Sequence, residues 1–246
     1  MLYKFRGIVL KETKLNDSDK IITIFTKEKG KIQAVAKGVR KPKSKLVSST
    51  QVFCISDFVA YKGKNLYNIN QGETISSFYS LREDLKKLAY ASYVVELVNS
   101  GLAIEEPNNK IFGLLVKTLN LITIYDEYEK IARAFELKLI SFLGYRPFLK
   151  KCVNCNKDFD KNIKFSINYG GILCNDCISK DPFSKKTSKA VVDIMKYLLY
   201  TPFEDILDND IREDVLIKIE NIMLPYLYRY LDRSSFKSLK FIKAVN

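Results

Sequence analysis

The 246-residue sequence contains no histidine and no tryptophan. Without histidine there is no Ser-His-Asp or Cys-His pair, and no His-based general acid or base near neutrality. Any bound metal must then be held by cysteine or carboxylate. The missing tryptophan has no functional reading. Also absent is any run approaching the ~20 apolar residues that a bilayer span requires. The opening Met1-Leu2-Tyr3-Lys4-Phe5-Arg6 lacks the apolar core of a signal peptide, and no Gly-x4-Gly-Lys-Ser/Thr phosphate loop occurs. The expectation is a soluble cytoplasmic protein that makes no membrane contact and is not an enzyme.

What the chain does have is apolar material and positive charge. Hydrophobic residues at 47% and aromatics at 12% suffice for packed cores and exclude wholesale disorder. The length suits one large domain or two to three small ones. Lys and Arg outnumber Asp and Glu by 41 to 28, a net +13. Residues 1–80 hold 15 of those cations against 6 acids, or +9, leaving +4 for the rest. The densest run is Lys37-Gly38-Val39-Arg40-Lys41-Pro42-Lys43-Ser44-Lys45, with no acid in it. A general lysine bias does not place charge in one third of a chain, so the excess points to a polyanion partner. Lys outnumbers Arg 33 to 8. Lysine meets phosphate as a point charge whereas arginine reads base edges through its fork, so backbone contact without sequence readout is expected.

The first eighty residues read as short strands. Ile8 and Leu10 alternate with Val9 and Lys11, Ile22 and Ile24 with Thr23 and Phe25, and Lys27-Glu28-Lys29-Gly30 forms a hairpin before Ile32, Ala34 and Ala36. The basic run with Pro42 is an exposed loop. Val52–Tyr61 and Leu66–Ile75 make a second pair. About five strands in this length fit an OB-fold barrel, with an SH3-like barrel as the alternative. From about Leu81 the apolar period becomes helical, through Leu85, Leu88, Val95 and Val98, then Ile111 to Ile122, then Ile131 to Phe142. Gly101 and Gly144 fall at expected helix ends, and Ser188 caps a helix carrying Val191 and Met195. A final helix runs from Val215, where Pro225 should kink it or end it early. The fold class is α+β: an OB barrel at about 1–80, then a helical domain at 81–246.

Cys152-x2-Cys155 and Cys174-x2-Cys177, 18 residues apart, carry the spacing of a four-cysteine zinc site near 148–180. Four thiolates fill a tetrahedron and leave no place for a reactive water, so the Zn2+ is structural. Tyr169-Gly170-Gly171 is the expected tip of a hairpin between the two pairs, and Lys150, Lys151 and Lys157 offset the excess thiolate charge. Cys54 reads as a buried small hydrophobe. Phe25, Tyr61 and Tyr67 are candidates for base stacking, with the barrel core as the alternative. Asp17 and Asp19 would allow a carboxylate-metal nuclease but belong more simply to a turn.

Three segments resemble the bacterial RecO family of recombination mediators. They are Gly7-Ile8-Val9-Leu10 with Asp17–Thr26, then Gly30 to Ser44 with its glycine–basic–proline loop, then Phe135–Leu139 running to Leu143-Gly144-Tyr145-Arg146-Pro147 ahead of the cysteines. The resemblance covers nearly the whole chain. It implies binding of single- and double-stranded DNA without sequence preference and annealing of complementary strands. It also implies action with RecR to displace single-strand-binding protein, whose acidic tail is a partner, so that RecA loads. Localisation would be cytoplasmic and nucleoid-associated. Carried onto this sequence, Lys37, Arg40, Lys41, Lys43 and Lys45 contact DNA, with Lys31 on the preceding strand as a further candidate. The alternative is an RNA-binding or ribosome-associated protein, since OB barrels and zinc knuckles also serve RNA.

Overall fold

In the computed structural model, which describes residues 1–245, strand β1 (Leu2–Lys14) is long enough to pair on both sides. Its first half runs antiparallel to β4 (Ile55–Lys62), from Leu2 opposite Tyr61 to Ile8 opposite Ile55. Its second half pairs with β2 (Lys20–Thr26), from Gly7 opposite Thr26 to Lys14 opposite Lys20. A register slip between Val9 and Lys11 bends the strand where it changes partner. β2 turns into β3 (Gly30–Ala36), β3 meets β5 (Tyr67–Ser76) in parallel, and β5 returns to β4. The order β1-β2-β3-β5-β4 closes a barrel with the OB-fold topology. Phe5, Ile22, Ile24, Ile32, Phe58 and Ile69 fill it, each contributing roughly 1.5–3 kcal/mol through burial.

The β3–β5 seam is short, with pairs only at Ala34–Tyr67 and Val35–Asn68. A later segment reinforces it. Ile104 bridges Lys31, the Glu105 amide donates to the Lys31 carbonyl at 2.9 Å, and Lys62 reaches the Glu105 carboxylate at 2.7 Å. Gly30 makes room for this segment. It sits at φ +68°, and a Cβ there would overlap the Glu106 backbone.

A single 3-10 turn at Tyr79–Arg82 leads to α1 (Leu85–Gly101), capped by the Asp84 carboxylate on the Lys87 amide, and then to α2 (Asn109–Ile124). The sequence period changes near residue 80, but the compact unit does not end there. It comprises Met1–Ile124 together with the chain from Lys237. The physical reason is packing: Phe112 of α2 meets Phe25 of β2 edge-on at 5.5 Å, and Tyr93, Val94 and Leu97 of α1 are fully buried. The last helix, α7 (Lys237–Val245), joins this unit through Glu96 of α1. That carboxylate accepts from the Lys237 amide at 3.0 Å, the Ser238 amide at 2.9 Å and the Ser238 hydroxyl at 2.6 Å.

The second unit, Tyr125–Phe236, is organised on α3 (Tyr128–Phe142), which is buried along most of its length. Three of its charged residues, Lys130, Arg133 and Glu136, are inside: Arg133 pairs with Glu136 at 2.7 Å and with Glu220 of α6 (Glu213–Tyr230) at 3.3 Å. Gly144, at φ +93°, ends α3 as expected. Gly101 does not adopt a positive φ, and the chain leaves α1 in extended conformation at Leu102. Nor does Pro225 end its helix. α6 runs on to Tyr230, because the carbonyl that Pro225 cannot bond belongs to exposed Asn221 while Met223, Tyr226 and Leu227 keep the helix packed. Strands β6 (Ile163–Ser166), β7 (Gly171–Leu173) and β8 (Lys185–Thr187) form a small sheet in the order β7-β6-β8. α4 (Lys189–Tyr200) and α5 (Phe203–Leu207) complete the unit, with Ser188 capping α4. No helix is long and apolar enough to cross a membrane among the described residues.

Gly30→Ala introduces both an unfavourable φ and a backbone overlap, so it is expected to lower unfolding free energy by more than about 2 kcal/mol. Urea denaturation measures this; a loss below about 0.5 kcal/mol would mean the Glu105 segment yields without cost.

Candidate nucleic-acid interface and metal centre

The basic run leaves β3 and is held by the β1–β2 turn through backbone groups. Asn16 folds that turn, its side-chain oxygen accepting from the Ser18 amide at 2.9 Å and the Asp19 amide at 2.7 Å. Asp19 then accepts from the Gly38 amide at 2.7 Å. The Arg40 amide donates to the Ser18 carbonyl at 2.9 Å, and its guanidinium to the Asn16 carbonyl at 3.0 Å. The loop is thus fixed without neutralising its lysines. Lys37, Arg40, Lys41, Lys43 and Lys45 are all exposed. Beside them an open cleft of about 390 Å³ is lined by Lys20, Val39, Arg40, Lys41, Pro42, Val47 and Gln51.

Lys31 is placed differently. It is buried, and its ammonium donates to the Asn99 carbonyl at 2.7 Å in the last turn of α1, while burial pulls its pKa down. Lys31 is therefore a strut between β3 and α1 and is not available to a phosphate. Phe25 and Tyr67 are also in the core, with exposures of 0% and 4%, which removes them as stacking platforms. Of the three aromatics, Tyr61 alone is exposed.

Asp17 and Asp19 do not form a metal site. Asp17 pairs with Lys14 at 3.0 Å, and Asp19 is occupied by Gly38, Asn16 and Ser18. Sequence reading missed Arg82. Its guanidinium donates to the carbonyls of Ser77, at 2.7 Å, and of Val52, and lies 5.6 Å from the ring of Phe53, whose φ is +76°. It therefore anchors the chain just ahead of β4. The available signal was rarity: where lysine outnumbers arginine 33 to 8, an arginine marks a place needing a planar fork. Cys54 is fully buried, and burial is the main cause of its raised thiol pKa.

The four remaining cysteines come together in the second unit. The exit from α3 seats them: the Phe148 amide donates to the Gly170 carbonyl at 2.8 Å and the Val153 amide to the Ile172 carbonyl at 2.7 Å. Gly170 and Gly171 form the end of the β6–β7 hairpin, as the sequence suggested. The Sγ atoms of Cys152, Cys155, Cys174 and Cys177 all lie within 4.8 Å of one another, and those of Cys155 and Cys174 are 3.6 Å apart. A tetrahedral ion with metal–sulfur bonds of about 2.3 Å holds its sulfurs about 3.8 Å apart, so the cluster fits one. Asn154 donates to the Cys177 sulfur at 3.3 Å and the Cys174 amide to the Cys152 sulfur at 3.4 Å.

The sulfurs do not titrate alike. Burial alone would raise the Cys152 pKa, but donation from the backbone of Cys174, Cys155 and Asn154 lowers it to about 6. Cys174 is pushed up to about 12 by burial and by sharing protons with its neighbours. Only a bound cation lets all four be thiolates together at neutral pH. Among the described residues this is the one group of three or more such side chains close enough to share an ion. Lys150, Lys151 and Lys157 are exposed, whereas Lys164 lies opposite Leu173, which packs on the cysteines.

Two outcomes are expected. Asp19 has a pKa lowered chiefly by the Gly38 amide, so its hold on the loop is present above the unfolded carboxylate pKa and is lost as pH falls through a value below 3.8. Amide exchange at Gly38 should accelerate over that acid range, and in Asp19→Asn the pH step should vanish; an unchanged step would assign it elsewhere. Chelating the ion should release one equivalent per chain and abolish exchange protection in β6 and β7 while the barrel strands keep theirs. Retained β6–β7 protection after metal loss would mean that the ion does not shape this module.

Both halves of the chain match family models, that described as recombination protein O N terminal over residues 1–78 and that described as recombination protein O C terminal over residues 82–240. The DNA repair protein RecO of Alkaliphilus metalliredigens is 40% identical over 246 residues, covering 100% of both chains. Those of Acetivibrio thermocellus and Clostridium acetobutylicum are 34% and 35% identical, covering 99% and 100% of this chain and 97% of each relative. With the barrel, the helical unit and the four-cysteine cluster in the matching order, the chain belongs to the RecO family of DNA repair proteins.

Proposed function

We propose that the protein is a non-catalytic recombination mediator that binds single- and double-stranded DNA through phosphates, anneals complementary strands, and with RecR helps load RecA onto strands coated by single-strand-binding protein. The observation that carries this reading is the exposed basic loop, held at Gly38 and Arg40 while Lys41, Lys43 and Lys45 stay free of acidic partners among the described residues and Lys37 lies near Asp19 without a hydrogen-bonded ion pair. Such a surface neutralises phosphates and ignores sequence. Annealing follows because two strands brought to the same positive surface repel each other less. The ion in the cysteine cluster is Zn2+, since four thiolates in tetrahedral reach suit it and leave no open position for hydrolysis. Its role is structural. RecR and the acidic tail of single-strand-binding protein are assigned as partners on family membership alone.

Replacing Lys41, Lys43 and Lys45 with Ala spares Arg40 and its turn contacts. The variant should bind single-stranded DNA about tenfold more weakly at low salt, with the slope of log K against log salt shallower by about 2. Fluorescence anisotropy across a salt series reads both. Unchanged affinity and slope would remove the loop from the interface.

A further inference from the structure

Residues 81–246 carry a net charge of only +4, yet residues 150–189 contain nine lysines against four aspartates. Beyond the barrel, the positive balance therefore sits in the cysteine module. Within that module one aromatic side chain is held in water. Phe183 is 82% exposed, at the tip of the turn leading into β8. The turn is not loose. Asp181, itself buried, accepts from the Ser166 hydroxyl at 2.5 Å, the Asn168 amide at 3.2 Å and the Phe183 backbone amide at 3.1 Å. Its carbonyl takes the Ser184 amide at 3.1 Å and hydroxyl at 2.6 Å. A buried carboxylate thus fixes a turn that presents a phenylalanine to solvent, where the ring contributes nothing to a core.

Two and three residues later come Lys185 and Lys186, both exposed and without an acidic partner among the described residues. Lys186 lies directly opposite Lys164 on β6, a like-charge pair that weakens the sheet. Lysines on an edge strand also discourage sheet-to-sheet pairing, but that use needs no exposed aromatic. A rigid aromatic followed by two lysines within about 7–10 Å of chain matches the pairing of base stacking with phosphate contact in single-strand binders.

We propose that this turn is a second contact for single-stranded DNA, with Phe183 stacking on a base and Lys185 and Lys186 meeting the adjacent phosphates. The inference rests on the DNA-binding reading above and adds a site on the other unit. Because the chain has no tryptophan, Phe183→Trp creates a single reporter at this position, and an exposed ring makes the exchange harmless to folding. In the metal-loaded full chain, oligothymidylate should quench that fluorescence. The quench should persist when Lys41, Lys43 and Lys45 are Ala. It should weaken several-fold in K185Q/K186Q, with a salt slope shallower by about 1. A silent tryptophan while anisotropy shows binding that the barrel variant weakens would overturn this site and leave the barrel reading intact. Quenching by polyglutamate and not by oligothymidylate would make the turn a protein-docking element, again overturning it. No oligonucleotide binding by the chain at all would sink both readings.

Discussion

Five cations in the nine residues from Lys37 to Lys45 repel one another, and no acid in the run offsets them. Each pair costs little: two unit charges 7 Å apart in water repel by about 0.6 kcal/mol, less with physiological salt. A hydrogen bond contributes about 1 kcal/mol, so a few well-placed bonds hold the segment. The bonds present come from the backbone amides of Gly38 and Arg40 and from the Arg40 guanidinium, and all are accepted by the turn from Asn16 to Asp19. Had the same stabilisation come from ion pairs to the lysines, the loop would be equally fixed and electrically silent. Holding the chain by its amides keeps the charge available.

The cysteine cluster meets the same constraint with the sign reversed. Four sulfurs within 4.8 Å cannot all ionise by themselves: backbone donors pull Cys152 to about 6, while burial and the neighbouring thiols push Cys174 to about 12. Here a cation held by the four sulfurs would supply the answer at the centre, and N–H donors supply it at the edge. A rigid barrel stands behind the one site and buried α3 behind the other. Each supplies a fixed frame that holds a cluster of like groups together.

How much of this the sequence discloses follows from whether the signal is local. The barrel strands and the cysteine spacing are local patterns, and both are readable. α7 is not, because nine residues with a lysine at every third position look like a solvated tail until Glu96, some 140 positions earlier in the chain, caps them. The boundary near residue 80 marks a change of period, whereas packing of Phe112 on Phe25 carries the first unit on to Ile124. Lys31 reads as one more cation beside a basic loop, and only the proximity of the α1 C-terminus makes it a strut. Phe25 and Tyr67 fail as stacking platforms for the same reason. A strand's alternation shows which residues share a face, but the curvature that closes the barrel decides which face is inside.

The loss of those two aromatics bears on mechanism. Annealing requires that Watson–Crick edges stay free, so a protein that gripped base edges would hold two strands and keep them apart. A lysine loop on phosphates avoids that, and so does the low arginine content, since the guanidinium fork is what reads guanine. Of the eight arginines, Arg40 donates to Asn16, Arg82 anchors Val52 and Ser77, and Arg133 is buried in α3. Aromatic stacking is compatible with annealing where edge recognition is not, because a ring contacts the base face and leaves the edge exposed. An aromatic at Phe183 with a lysine loop on the barrel therefore divides the task by geometry. In the proposed reading both contacts would retain a strand, and neither would occupy the atoms through which it must find its complement.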